Sequence, residues 1–126
     1  MKLLSLIAFF ILWFGAHAQN LGKPGDLLPR VQATEATNYV GKDAIVIGKI
    51  VDVHKTDRVT QLNFEKPFPK QVFTAVVFQR SFTVFTNLES LKEKTVEVTG
   101  KIAEYRGSPQ IILTNQDQLK VVSQAK

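Results

Sequence analysis

The chain has 126 residues, 16 Lys and Arg against 11 Asp and Glu for a net charge of +5, 44% hydrophobic residues and no cysteine. That length supports one compact domain, and the charge falls short of the dense cationic stripe of a dedicated DNA packager. The lack of cysteine excludes disulfide stapling, thiol chemistry, Cys-based metal sites and lipid attachment through an N-terminal Cys.

Met1-Lys2 gives a basic start, "LLSLIAFFILWFGA" (3–16) is an unbroken apolar run, and "AHA" (16–18) places small residues before Gln19. That order predicts a secretory signal peptide cleaved after Ala18. The competing reading, a membrane anchor, needs about 20 apolar residues, and this run is shorter. Removing 18 of 126 residues leaves 108, with 15 basic and 11 acidic residues and a net charge of +4. The expected location is the periplasm or the extracellular medium, with no membrane span after cleavage.

"QNLGKPGDLLPR" (19–30) mixes Gly, Pro and polar residues without periodicity, and 19–34 reads as a flexible lead-in. "VQATEATNYVG" (31–41) has the composition of a short helix ending at Gly41. "KDAIVIGKIVDVHK" (42–55) is a long β-rich segment with Gly48 inside it, followed by an Asp57-Arg58 turn and "VTQLNF" (59–64). The prolines of "EKPFPK" (65–70) break strand pairing and mark a loop. "QVFTAVVFQ" (71–79), dense in Val and Phe, reads as the most buried strand.

"SFTVFTNLESLKE" (81–93) spaces Phe82, Phe85, Leu88 and Leu91 three apart, which predicts a helical face. Thr86 and Glu89 stand at capping-box spacing, so the regular helix is expected from there. "KTVEVTGKIAEY" (94–105) returns to strand alternation, with Val96, Val98 and Ile102 opposite Lys101, Ala103 and Tyr105. "RGSP" (106–109) turns the chain into a last strand, "QIILT" (110–114), and "NQDQLKVVSQAK" trails off through Leu119, Val121 and Val122.

The order is β, β, β, short helix, β, β, and the two long strands each carry an internal glycine, Gly48 and Gly100. Such glycines mark bulges or bends that let a sheet curl and close. The predicted fold is all-β, a five-stranded OB-fold barrel over 35–122 with its helix between the third and fourth strands and a tail at 123–126.

The stretches "LNFEKPFP…FTAVVF" and "LESLKEKTVEVTGKIAEYRGSPQIILTNQDQL" resemble the OB-fold nucleic-acid-binding domains of exported bacterial proteins. These belong with the anticodon-binding and single-strand-binding OB domains, and the resemblance covers about residues 35–122. It implies a binding module for single-stranded DNA or RNA. OB-folds also bind glycans and proteins, so a glycan or an envelope protein is the alternative partner.

No enzymatic activity and no cofactor are expected. After processing, His54 is the one histidine, and with Asp52 and Asp57 it makes too sparse a set for a metal site, which takes three or four converging ligands. Single strands are held by aromatic rings that stack bases and by Lys or Arg that follow phosphates. In an OB-fold these belong on the second and third strands and in the loops after the first and fourth. The candidate ligand-binding residues are therefore Lys55 and Arg58 in the first loop, Tyr105 and Arg106 in the last, Lys49 and Lys101 beside the glycines, and Phe64 and Phe73 on the middle strands. The plain alternative for the Phe residues is core packing, and for Tyr105 a cover over the barrel end.

Overall fold

The computed structural model describes residues 28–122. The signal peptide read at 1–18, most of the lead-in and the tail at 123–126 lie outside the described residues. Strands β1 (Arg30–Gln32), β2 (Asp43–Lys55), β3 (Val59–Phe64), β4 (Phe73–Phe78), β5 (Thr95–Lys101), β6 (Ala103–Tyr105), β7 (Ser108–Ile112) and β8 (Leu119–Val121) follow in chain order. No helix among the described residues is long and apolar enough to cross a membrane.

Along the closed path of the sheet the first long strand is shared by two neighbours. Asp43–Lys49 of β2 pairs antiparallel with β5, whereas Ile50–Lys55 pairs antiparallel with β3. From β3 the ladder continues antiparallel to β4, parallel to β7 and antiparallel to β6. Only Ile102 separates β5 from β6, so the path returns to its origin and the sheet closes. At that joint Gly41 donates its backbone N–H to Ile102 and Ile102 donates to Lys42, at 2.7 and 2.9 Å. This is the barrel expected from the sequence, with its fourth strand broken in two and short strands β1 and β8 added at the margin of the sheet. β1 begins within the segment read as lead-in and pairs parallel with β2.

The alternation of apolar residues explains the closure. Ala44, Val46 and Ile50 of β2, Leu62 and Phe64 of β3, Phe73, Ala75 and Val77 of β4, and Val96 and Val98 of β5 all point inward and are buried. Phe64 and Phe73 meet edge to face at the centre, with ring centroids 5.1 Å apart, a favoured aromatic geometry.

The two strand glycines act differently. At Gly100, φ is +156° and an added Cβ would lie 2.8 Å from Ile111 Cγ2, so both conformation and space favour glycine. At Gly48 the backbone is ordinary, and the register shift of β2 falls further on, between Ile50 and Asp52. Gly48 is instead a point of close approach: a Cβ there would meet Ala33 Cβ at 2.8 Å and Phe64 Cδ2 at 2.9 Å.

Where a helix was expected between the third and fourth strands, the chain makes two short 3-10 turns, Gln79–Ser81 and Leu88–Leu91. A spacing of three suits the three residues per turn of a 3-10 helix better than the 3.6 of an α-helix. Phe85 and Leu91 are buried and pack into the core, with Phe82 and Leu88 half-buried against it. The capping box at Thr86 does not form: Asn87, at φ +61°, precedes the second turn with no side-chain cap. The segment at Ala33–Tyr39 is also a 3-10 helix, and it buries Ala33 and Ala36.

The C-terminal stretch read as trailing off is ordered as far as Val122. Asn115 caps the turn Gln116–Gln118 by accepting the Asp117 N–H, and β8 then pairs antiparallel with β5.

Candidate binding cleft

The cleft begins with the outward residues of β3, β4 and β7. Because side chains alternate along a strand, burying Thr60, Leu62 and Phe64 turns Val59, Gln61 and Asn63 outward. The cross-strand register then sets Asn63 beside Thr74 and Thr74 beside Gln110, with Gln61 beside Val76 and Val76 beside Ile112. One row of this face is polar and the next is largely apolar.

Two loops raise walls over it. The β6–β7 hairpin turns through Arg106 and Gly107, at φ +52° and +83°, the paired positive values of a type I′ turn. Tyr105, directly before it, pairs with Ser108 across the hairpin and is 55% exposed. The Arg106 guanidinium lies over the Tyr105 ring, 5.3 Å from its centroid. On the other side the 65–72 loop carries Phe68, also 55% exposed, stacked on His54 at 6.0 Å with the rings 10° from parallel.

Phe68, Tyr105 and Arg106 line one cleft of about 340 Å³, floored by Gln61, Gln71, Thr74 and Gln110. A second groove of about 370 Å³ adjoins it, lined by Arg58, Val59, Val76 and Phe78 and sharing Gln61, Tyr105 and Gln110 with the first. Tyr105 thus borders a cleft of mixed polar and apolar lining and a more apolar groove at once. Arg80 lies over the Phe78 ring at 5.4 Å, beside that groove.

A hydrogen-bond chain holds the cleft floor. Asp52 Oδ2 accepts from Asn63 Nδ2 at 3.0 Å and from the Phe68 backbone N–H at 3.2 Å. The Thr74 hydroxyl donates to Asn63 Oδ1, and Gln71 Nε2 donates to Thr74 Oγ1, both at 3.2 Å. The Phe68 N–H, then the Asn63 amide and nearby positive charge, hold the Asp52 carboxyl below the usual carboxylate range against a smaller opposing effect of burial. The carboxylate therefore ties the 65–72 loop to the barrel.

Among the described residues no three of His, Cys, Asp and Glu gather to hold a metal ion. His54 faces Phe68 rather than a metal corner.

No protein-family model matches the chain, and no curated protein does. Solved structures do. An aspartyl-tRNA synthetase from Entamoeba histolytica aligns over 86% of this chain at 18% identity and a TM-score of 0.52. The chain spans only 24% of that synthetase's length. Two OBodies, each seen bound to hen egg-white lysozyme, align over 74% and 75% of this chain and 92% and 94% of their own, at 14% identity and TM-scores of 0.55. The chain is an OB-fold barrel.

The residues singled out from the sequence separate on this barrel. Tyr105 and Arg106 form the cleft wall, and Arg58 borders the adjoining groove. Lys55 faces elsewhere, over the Phe82 ring at 5.5 Å, in a different pocket of about 400 Å³. Lys49 forms an ion pair with Glu93 at 3.1 Å, and Lys101 stands opposite Asp43 where β5 pairs with β2. Neither lines the cleft or the groove. Phe64 and Phe73, expected on the binding face, are fully buried, because the register of β3 and β4 turns them into the core.

The sequence reading passed over Phe68, Gln71 and the row Gln61–Gln110, and weighed His54 only as a metal ligand. Phe68 left a signal: a bulky ring between two prolines in "KPFPK" sits where strand pairing is blocked and core packing is hard to reach.

Proposed function

We propose that this chain is an exported, non-catalytic OB-fold module that holds single-stranded nucleic acid in the cleft between Phe68 and Tyr105. The observation that carries the reading is the placement of exposed rings. Among the described residues Phe68 and Tyr105 are the exposed Phe and Tyr side chains, and both line one cleft beside Arg106. Rings that stack bases and guanidinium groups that meet phosphates are what single strands require. Arg58 and Arg80, along the adjoining groove, continue the positive track. Export rests on the N-terminal apolar run with small residues before Gln19.

The test is a titration of labelled oligonucleotides with the chain lacking residues 1–18, at several salt concentrations. Two or three phosphate contacts should give a slope of log affinity against log salt between about −1.4 and −2.1. No binding at low salt would overturn the reading.

A protein partner is the second reading, favoured by the apolar side of Val76 and Phe78 in the groove. The OBodies use this same fold in complexes with a protein. Salt-insensitive capture of a protein would support it, and binding in a glycan screen would point to the third class of OB ligand.

A further inference from the structure

We propose a second binding site, for a free α-amino acid with an apolar side chain, at one end of the barrel. The site shares no residue with the cleft or the groove, so it goes beyond the single-strand reading and does not rest on it.

Thr60 marks that end. It is 2% exposed, points inward two residues before Leu62, and stands opposite Lys55 across the β2–β3 hairpin. Lys55 and Thr60 on one wall, with Phe82 and Phe85–Glu89 on the other, line the pocket of about 400 Å³. Small molecules commonly bind in the mouths of β-barrels and in pockets of about 300–1,000 Å³.

Two opposite charges enter this pocket from different elements and do not pair with each other. Lys55 Nζ lies over the Phe82 ring, 5.5 Å from its centroid, and Glu89 belongs to the turn Leu88–Leu91. Among the described residues the ion pairs are Arg30–Glu97 and Lys49–Glu93, so neither Lys55 nor Glu89 is neutralised by a partner. Asn87 gives the turn no side-chain cap, which leaves its amide uncommitted as well. Phe82, Phe85 and Leu88 complete the lining with apolar surface.

That combination selects by charge. A lone anion such as a phosphate would satisfy Lys55 and face repulsion from Glu89, and a lone cation would meet the reverse. A neutral apolar molecule would displace water from both charges and pair neither. An α-amino acid satisfies both at once, its carboxylate toward Lys55 and its ammonium toward Glu89. Its side chain then lies against Phe85 and Leu88, where burial favours an apolar group.

The experiment is a calorimetric titration of the chain lacking residues 1–18 with L-leucine, leucinamide, N-acetyl-L-leucine and glycine. Leucinamide lacks the carboxylate, N-acetyl-L-leucine the ammonium and glycine the apolar side chain. L-leucine should bind at least about tenfold tighter than each of the others, the size of one charged hydrogen bond or one buried side chain. In Lys55→Met the preference over leucinamide should fall to about one while that over N-acetyl-L-leucine persists. Glu89→Met should do the reverse. Both residues are exposed, so neither change should unfold the barrel. No binding of L-leucine at millimolar concentration, equal binding of all four compounds, or preferences that survive both substitutions would each overturn the proposal. None of these results would touch the single-strand reading, which the oligonucleotide titration tests separately.

Discussion

The two sides of this barrel treat their charges differently. On the β1–β2–β5 side, cations meet carboxylates: Arg30 with Glu97 at 2.6 Å and Lys49 with Glu93 at 3.1 Å. On the cleft side two arginines lie over aromatic rings instead, Arg106 on Tyr105 and Arg80 on Phe78. A paired charge has its partner already. A guanidinium over a ring keeps its N–H donors available for a phosphate while gaining a modest cation–π attraction. The first arrangement suits a closed surface and the second a receiving one.

The widest break in that comparison comes from undoing the barrel that supports both sides. Gly100→Val forces a β-branched residue into φ +156° and against Ile111. The expected loss is about 3 kcal/mol of stability, measured as a fall in denaturation midpoint. An unchanged midpoint would mean that the bend at the end of β5 does not govern closure.

Removing Asp52 strikes the cleft side alone. Asp52→Ala strands the buried Asn63 amide and frees the Phe68 loop, and should cost about 1–3 kcal/mol. The pH dependence has a definite sign. The folded-state pKa of Asp52 is depressed, so its contribution is full above the unfolded value near about 3.9. It is lost as pH falls below that value and through the lower folded one. Acid unfolding curves of the parent and Asp52→Ala should accordingly converge at low pH, and curves that stay parallel would contradict the role given to this carboxylate.

Tyr105→Ala should weaken single-strand binding by about 1–3 kcal/mol with little change in stability, since the ring is exposed. Arg106→Ala should lower affinity for all sequences alike and make the salt slope shallower by about 0.7, one phosphate contact. The smallest effect belongs to the paired side. Lys49→Ala should change stability by less than about 1 kcal/mol and leave oligonucleotide affinity where it was. A marked loss of affinity in Lys49→Ala would erase the distinction between the sides.

Period-two alternation made the barrel legible in the sequence, because a strand with one buried face records which side is core. Val96, Val98 and Ile102 stood opposite Lys101, Ala103 and Tyr105 on the page as they do in the fold. The Arg106-Gly107 turn was legible for a similar reason, since turn chemistry is local. The helical segment between the third and fourth strands was legible in its place but not in its type, because four apolar residues at intervals of three satisfy two helical periods at once. Asn87 in a left-handed conformation then splits the segment.

The cleft was only half visible. Tyr105 and Arg106 announce themselves beside a turn, but whether Phe64 faces in or out depends on the register of β3 against β4. Composition does not carry that register. The chain from Asp52 through Asn63 and Thr74 to Gln71 lay further out of sight, because it joins residues 11 and 3 positions apart that only the folded ladder aligns.

The most direct test of the difference between the two sides is a map of backbone amide shifts by NMR as oligo(dT) is added to the chain lacking residues 1–18. Shifts should concentrate at Gln61, Phe68, Gln71, Thr74 and Tyr105–Gln110, with Ile45–Lys49 and Glu97–Thr99 unmoved. Shifts centred on β2 and β5 around Lys49 and Glu97, with the cleft amides unmoved, would contradict the assignment of the binding face.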